Sequence, residues 1–271
     1  MKARSQSAAA LRSFLALLCR GVAQGSALAA QPEVQTMTGK VAIVTGAGSG
    51  VGRIVAIRLA TSGWQVGAVG RRAEQLAQTA QLAGNGNVHP CPFDVADAKA
   101  APAVVEALVS KYGGVHALVN SAGTNLPRRG LDVLSVEDFH ALVDVNLHGT
   151  FHFVHAVLPV MRKQGEGTIV NVVSDAGLIA NAKAGAAYVA SKFGVTGLTQ
   201  SINAEERHNG IRATAVFPGD IDTPLLEKRP QPPGPEARAK MLQPEDVAAC
   251  VLLAINLPQR AVVEQLVVRP R

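Results

Sequence analysis

The chain has 271 residues and a formal net charge of +6 at neutral pH, a length that suits one α/β domain with a sizeable core. No apolar run is long enough to span a membrane, so we expect no membrane span. The basic residues form no run interleaved with aromatic residues, so we expect no nucleic-acid partner.

Residues 1–36 are predicted to be an N-terminal extension that precedes a catalytic domain at 37–271. The extension is rich in Ser, Ala and Arg and has no acidic residue before Glu33, which is typical of a mitochondrial or plastid transit peptide. A disordered extension and a secretory signal are the other interpretations. The chain has three widely separated cysteines, which indicate a reducing compartment and favour the cytoplasm.

From residue 41 onwards, short apolar runs alternate with segments of helical periodicity. Strands are predicted at 41–44, 64–69, 88–91, 115–119, 168–173, 211–216 and 262–268. Helices are predicted at 53–60, 73–83, 98–112, 186–207 and 244–255, with two more helical stretches between 136 and 162. This alternation predicts a Rossmann-like, doubly wound parallel sheet of about seven strands in a single three-layer α/β/α domain. Its ligand crevice should lie at the carboxyl ends of the strands.

A glycine-rich segment joins the first predicted strand to the first predicted helix. It reads Thr45-Gly46-Ala47-Gly48-Ser49-Gly50-Val51-Gly52 and is called the glycine loop below. Glycines permit tight turns and the close approach of a pyrophosphate, while the helix N-terminus offers free N–H groups and a positive dipole end. Because a strand and a helix flank the loop, dinucleotide binding is favoured over an ordinary turn.

Tyr188 and Lys192 are four residues apart, which places both side chains on one face of a helix. An ammonium beside a phenol favours the phenolate, so the pair predicts a tyrosine with a lowered pKa that exchanges a proton with a substrate oxygen. The Tyr-x-x-x-Lys pattern is a weak signal when it stands alone, and its meaning depends on the glycine loop upstream.

Taken together, the motifs resemble those of the short-chain dehydrogenase/reductase family of the single-domain type. The glycine loop gives Thr-Gly-x-x-x-Gly-x-Gly, and Asn120-Ser121-Ala122-Gly123 and Tyr-x-x-x-Lys follow in the family's order. The resemblance covers the chain from Gly39 to Arg271 and departs slightly at Ser121, where a second Asn is common. It implies cofactor contacts from Thr45, Gly46, Ser49, Gly50, Val51, Gly52, Asp94, Val95, Asn120, Ala122, Gly123, Tyr188, Lys192, Pro218, Gly219, Ile221 and Thr223.

The resemblance also implies four catalytic residues and an oligomer. Ser174 would hold the substrate oxygen, and Tyr188 would be the general acid in reduction and the general base in oxidation. Lys192 would depress the pKa of Tyr188 and bind the nicotinamide ribose. Asn146 would hold a proton-relay water near Lys192. A homotetramer or homodimer joined through the helices of Asn146 and Tyr188 is expected.

The end of the second strand indicates which cofactor is used. An NAD-preferring site places a carboxylate there, whereas this chain has Gly70-Arg71-Arg72. Guanidinium groups bind a 2′-phosphate bidentately, so NADP(H) is preferred, with NAD(H) possible. The alternative is that Arg71 and Arg72 only begin a solvated helix, and Ser49 stands where a second basic residue is often found.

Two further interpretations concern metals and the substrate. His148, His152 and His155 recur at helical spacing, but no Cys or acid completes a ligand set, so no metal site is predicted. Apolar residues near the motifs favour an apolar carbonyl or secondary alcohol substrate, which the segment from Asp220 to Gln243 would help to hold. These residues are Leu126, Leu178, Ile179, Ala180, Leu225 and Leu226.

The sequence therefore predicts an NADP(H)-dependent oxidoreductase that interconverts a carbonyl and a secondary alcohol, with Tyr188 as general acid and base and with 3-oxoacyl and hydroxy-acid compounds among the candidate substrates. A non-catalytic dinucleotide sensor or scaffold on the same fold is the alternative, because fold alone does not fix function. An epimerase or dehydratase is a third possibility.

Overall fold

The computed structural model describes residues 39–271, so the predicted extension at 1–36 lies outside the described residues. The strands are β1 (Val41–Thr45), β2 (Gln65–Gly70), β3 (Val88–Pro92), β4 (Ala117–Asn120), β5 (Gly167–Val172), β6 (Ile211–Pro218) and β7 (Gln265–Val268). The α-helices are α1 (Gly50–Thr61), α2 (Ala73–Ala83), α3 (Ala100–Tyr112), α4 (Val136–Val143), α5 (Gly149–Gln164), α6 (Ala186–Glu206), α7 (Pro235–Arg238) and α8 (Pro244–Asn256). Within residues 39–271, no helix combines the length and apolar character needed to cross a membrane.

The strands form one seven-stranded sheet in the order β3-β2-β1-β4-β5-β6-β7, and all neighbouring strands are parallel. This confirms the predicted doubly wound fold. The chain order reverses between β1 and β4, so a crevice opens there at the carboxyl ends of the strands. Pro90 and Pro92 lie in β3, where an edge strand tolerates a residue that cannot donate to the ladder.

Apolar residues cover both faces of the sheet, and every residue of β1 is buried. On one face, α1, α2 and α8 pack through residues such as Val55, Leu76 and Val251. On the other face, α3, α5 and α6 pack through residues such as Leu108 and Phe153. Near-continuous apolar strands are typical of a parallel sheet that is covered by helices on both sides.

The helical stretches between 136 and 162 are joined more closely than the sequence predicts. A π-helical segment, Asp144–His148, connects α4 directly to α5. A π-turn inserts one extra residue into the helical ladder without ending it, and such turns are frequent at functional sites. The segment contains Asn146, one of the predicted catalytic residues.

The last strand begins at Gln265, three residues later than predicted, and a buried arginine holds the chain that precedes it. The guanidinium of Arg212 donates to the carbonyl oxygens of Ile255 and Leu257 at the end of α8, at 3.2 and 2.8 Å. It also donates to the carbonyl oxygens of Pro258 and Ala261, at 2.7 and 2.6 Å. These bonds satisfy helix-end carbonyls that have no partner within the helix.

An ion pair that joins α5 to α6 gives a prediction about stability. The Glu206 side chain is only 4 % exposed and accepts hydrogen bonds from Arg162 and from Asn209 Nδ2, the latter at 2.8 Å. The bond from Arg162 is the main reason that the pKa of Glu206 falls from 4.5 to about 2. We expect Glu206→Gln to lower the free energy of unfolding by about 1–3 kcal/mol at neutral pH, because a charge-assisted hydrogen bond is lost.

The loss of stability in Glu206→Gln should depend on pH and should be largest at neutral pH. Because the folded pKa lies below the ordinary value of 4.5, the contribution of Glu206 is complete above about that pH and is lost as the pH falls towards about 2. Urea unfolding between neutral and acidic pH should show the two proteins converging below about pH 4. Glu106→Gln, on the exposed face of α3, is the control and should leave stability unchanged. A gap between wild type and Glu206→Gln that does not shrink with acid would contradict the role of the carboxylate.

Candidate active site

A cavity of about 510 Å³ opens at the carboxyl ends of the strands, where the ligand crevice is predicted. Predicted residues that line it are Gly46, Ser49, Gly50, Val51, Ala122, Gly123, Ser174, Tyr188, Lys192, Pro218, Gly219, Ile221 and Thr223. A second cavity of about 120 Å³ is lined by Arg71, Arg72, Asp94 and Val95. Gly46, Ser49, Ala122 and Gly123 line both cavities, so the two adjoin. The structure thus gathers most of the predicted site in one cleft.

Four predicted residues, Thr45, Gly52, Asn120 and Asn146, lie behind the cavity wall and support it. Thr45 Oγ1 accepts hydrogen bonds from the backbone N–H groups of Ser121 and Ala122, both at 3.1 Å. The Asn120 amide turns away from the cavities and donates to Asn171 Oδ1 at 2.9 Å. These contacts fix the ends of β1, β4 and β5 relative to one another.

The glycine loop has the shape of a phosphate cradle. Gly46 and Gly50 have φ values of +69° and +52°, which side-chain-bearing residues rarely adopt. A Cβ at Gly46 would lie 2.8 Å from the backbone of Ser121 and Ala122. The Ser49 side chain makes no capping bond at the start of α1. The first N–H groups of this helix are therefore open to a phosphate, so the loop fits a dinucleotide.

Tyr188, Lys192 and Ser174 meet in the larger cavity. Tyr188 and Ser174 both line this cavity, and they are close enough for the Ser174 side chain to lower the pKa of the Tyr188 phenol. The Lys192 ammonium lies 5.6 Å from the centre of the Tyr188 ring and donates to the carbonyl oxygen of Val172 at 3.1 Å. Ser174 Oγ also donates to Asp175 at 3.1 Å. A carbonyl oxygen placed between Ser174 and Tyr188 would meet two hydroxyl groups, and Ser174 would donate to it once its single proton turned away from Asp175.

The predicted lowered pKa of Tyr188 is wrong, because burial outweighs the neighbouring groups that favour the phenolate. Burial raises the pKa of Tyr188 to about 12 and lowers the pKa of Lys192 to about 8. The groups that lower the pKa of Tyr188 are Ser174, through its hydrogen bond, and the guanidinium groups of Arg129 and Arg229. The phenol therefore keeps its proton at neutral pH, which suits the donation of that proton to a carbonyl oxygen.

Asn146 is buried within the π-helical segment and joins three parts of the chain. Its Nδ2 donates to the carbonyl oxygen of Thr124 at 3.0 Å and to Ser191 Oγ at 3.1 Å. Its Oδ1 accepts from the Thr124 N–H at 2.8 Å. Ser191 precedes Lys192 on α6, so the contacts of Asn146 orient the helix that carries the reactive pair.

The substrate side of the cavity is more polar than the sequence predicts. Of the six expected apolar residues, Leu225 and Leu226 line the cavity. Leu126, Leu178, Ile179 and Ala180 do not line it. Leu178 packs against a separate apolar cluster, and Ile179 is 69 % exposed at the surface. Polar and charged residues take their place, namely Asn125, Arg129, Asp175, Asn181, Lys183, Asp220 and Arg229.

The three histidines point to different partners. His148 Nδ1 lies 2.8 Å from Asp144, His152 Nδ1 bonds the carbonyl oxygen of Val95 at 3.0 Å, and His155 stacks near Phe151. Among the residues that the structure describes, no group of three or more His, Cys, Asp or Glu side chains could hold a metal ion.

Comparisons with known proteins agree with this geometry. The family model described as short chain dehydrogenase matches residues 40–233. An uncharacterised oxidoreductase of Staphylococcus aureus is 33% identical over 234 residues, which cover 86% of this chain and 98% of that protein. The crystal structure of levodione reductase has a TM-score of 0.76 at 28% identity and covers 85% of this chain and 96% of that chain.

A second solved structure is similar in the same way. It is the 3-ketoacyl-(acyl-carrier-protein) reductase of Brucella melitensis, complexed with NADH, with a TM-score of 0.77 at 29% identity. The match covers 85% of this chain and 97% of that chain. The likeness therefore extends over nearly the whole of the described sheet and its helices.

Proposed function

The chain belongs to the short-chain dehydrogenase family and is an NAD(P)-dependent oxidoreductase, and on this premise we propose that it interconverts a carbonyl and a secondary alcohol with NADP(H). One observation carries the proposal. Tyr188, Ser174 and Lys192 line the same cavity as the glycine loop, and the Lys192 ammonium lies 5.6 Å from the centre of the Tyr188 ring.

The chain's own residues would position the carbonyl and supply its proton. Ser174 binds the carbonyl oxygen and stabilises the negative charge that develops there. When bound, the nicotinamide supplies a hydride to the carbonyl carbon and is itself oxidised. Tyr188 gives its proton to the oxygen, so that the C=O group becomes CH–OH, and the reverse reaction returns that proton to Tyr188. The buried Lys192 ammonium, held by the Val172 carbonyl oxygen, stabilises the phenolate left behind.

The preference for NADP(H) is supported by the smaller cavity. No carboxylate stands at the end of β2, where Gly70 is followed by Arg71 and Arg72. The Arg71 guanidinium lies 4.0 Å from Asp94, and both side chains are well exposed to solvent. A solvent-exposed pair of this kind is weak, so Arg71 can turn to a 2′-phosphate at small cost.

Nicotinamide absorbance tests the proposed function directly. We expect the protein to oxidise NADPH in the presence of members of a ketone and aldehyde panel, with kcat/KM for NADPH about tenfold or more above that for NADH. The Arg71→Gln/Arg72→Gln double variant should lower kcat/KM for NADPH about 10–100-fold and leave that for NADH nearly unchanged.

Arg260→Gln is the matched control, because this exposed arginine lines neither cavity. Equal use of NADH and NADPH by the wild type would refute the cofactor preference alone. If no carbonyl compound were reduced and no alcohol oxidised with either cofactor, the proposed reaction itself would be refuted.

We also propose a homodimer or homotetramer joined through α5 and α6, and a cytoplasmic location. Phe151 on α5 and Phe193 on α6 are 47 % and 44 % exposed, which is unusual for such large apolar side chains and supports an interface there.

The proposed cytoplasmic location is supported by the cysteines. Cys91 and Cys250 are free thiols, in keeping with a reducing compartment.

A further inference from the structure

The substrate side of the cavity contains a buried cation that no part of the proposed mechanism uses. Arg129 lies on the loop between β4 and α4, and only 8 % of its surface is exposed. Arg129 is one of the residues that line the cavity that holds Tyr188. The position is close enough to Tyr188 that each group shifts the pKa of the other.

Backbone carbonyls hold the Arg129 guanidinium rigidly. Nε donates to the carbonyl oxygen of Leu126 at 2.5 Å, Nη1 to that of Lys183 at 3.1 Å and Nη2 to that of Lys228 at 2.6 Å. These three acceptors come from three separate loops. A guanidinium carries five N–H donors, so one N–H on each Nη atom is left over. Because three hydrogen bonds already fix the guanidinium of Arg129, the directions of these two remaining N–H groups are fixed as well.

The positive charge of Arg129 is not balanced by a carboxylate. Its three partners are neutral, and Arg129 takes part in none of the ion pairs formed within residues 39–271. Of the two carboxylates that line the cavity, Asp220 forms an ion pair with Arg229, whereas the hydrogen bond that Asp175 accepts from Ser174 comes from a neutral hydroxyl and balances no charge. A buried charge without a counter-charge is costly, so an anion in the cavity would be strongly favoured.

A second cation stands beside the first. Arg229 lines the same cavity, is oriented by Asp220, and is near enough to Arg129 to lower the pKa of that guanidinium. Asp220 already pairs with Arg229, so Arg129 is the arginine whose charge an anion in the cavity would balance. Lys183 adds a third positive charge at the cavity lining.

We propose that the substrate of this oxidoreductase is a short oxo acid, or the corresponding hydroxy acid, whose carboxylate is bound by Arg129 with Arg229 beside it. This inference rests on the proposed function, because it places the carbonyl of the same molecule between Ser174 and Tyr188. The carboxylate is unchanged in the reaction. Hydride from the cofactor and the proton from Tyr188 reduce the carbonyl as described above.

Matched pairs of acids and esters test this substrate class. Pyruvate, acetoacetate and levulinate are each compared with their methyl esters, which keep the carbonyl and remove the charge. With NADPH and the full-length protein, we expect kcat/KM for at least one acid to exceed that for its ester by about tenfold or more. A charge-assisted hydrogen bond to the carboxylate would account for a difference of that size. Esters that react as well as all three acids would overturn the inference while leaving the proposed oxidoreductase function intact. Absence of turnover with every acid, ester and neutral ketone would refute both.

Substitutions test which residue causes the preference for acids over their esters. Arg129→Met should lower the acid-to-ester ratio of kcat/KM about tenfold or more, chiefly through KM for the acid. Damage to the loops that Arg129 holds together would lower the rates for acid and ester alike and would leave the ratio unchanged. Arg229→Met is the second variant and keeps the test decisive if Arg129→Met fails to fold. The control is Arg128→Met, which removes the same charge from the exposed neighbouring residue. A ratio that stays at the wild-type value in both Arg129→Met and Arg229→Met would overturn the assignment.

Discussion

Tyr188→Phe is expected to lower kcat by about 10²–10⁴-fold, the range usual for the loss of a general acid. The substitution removes only the phenolic hydroxyl, whose pKa the Ser174 side chain lowers. The phenyl ring should keep its packing and its place under the Lys192 ammonium, which lies 5.6 Å from the ring centre. Cofactor binding should survive, because the glycine loop lies on a different segment. The measurements are steady-state reduction of the best panel substrate and a fluorescence titration with NADPH.

The chain offers a matched control, since it has only one other tyrosine. Tyr112 is on α3, and its hydroxyl lies 2.7 Å from His89 Nε2, remote from the cavity lining. Tyr112→Phe removes the same atom and should leave both turnover and NADPH affinity at wild-type values. If Tyr188→Phe retained more than about a tenth of the wild-type kcat, the assignment of Tyr188 as proton donor would be wrong.

The parts of this site that could be predicted from the sequence are those set by local geometry. Tyr188 and Lys192 lie on one helix, so their separation along the chain fixes their separation in space. The glycine loop likewise depends on a strand, a turn and a helix that follow one another directly. The all-parallel sheet was predictable for a similar reason, because alternating strands and helices leave few ways to cross between parallel strands.

Burial and contacts between distant segments could not be predicted in the same way. The pKa of Tyr188 depends on how deeply the finished fold encloses the phenol, and no spacing rule reports that depth. Arg129 contacts loops that follow it by 54 and 99 residues. Nothing in Pro127-Arg128-Arg129-Gly130 distinguishes the buried arginine from its exposed neighbour. For this reason the sequence favours an apolar substrate, whereas the cavity favours an anionic one.

Gly52→Ala is expected to raise the Kd for NADPH by about 10²-fold or more. An increase of that size is expected when several hydrogen bonds to the cofactor phosphates are lost. Gly52 lies in the first turn of α1, where a Cβ would be 2.5 Å from the Gly46 carbonyl oxygen and 2.7 Å from its carbon. Both atoms belong to the backbone, so no side chain can turn aside. The helix must move away from β1, and its N–H groups then no longer meet the phosphates. Overpacking should also cost about 1–3 kcal/mol in the free energy of unfolding.

Gly197→Ala separates this steric effect from the general effect of replacing a helical glycine. Gly197 lies within α6, four residues after Phe193 and on the same helix face, and within one chain no neighbouring side chain or segment comes within 4 Å of the position that an alanine methyl would take. Alanine there should raise the free energy of unfolding by about 0.5–1 kcal/mol, because the unfolded chain loses conformational freedom. NADPH affinity should not change. The measurements are NADPH titration and urea unfolding of both variants. If Gly52→Ala bound NADPH with wild-type affinity, cofactor binding would not depend on close contact between α1 and the end of β1. The pyrophosphate would then have to be assigned to another part of the cleft.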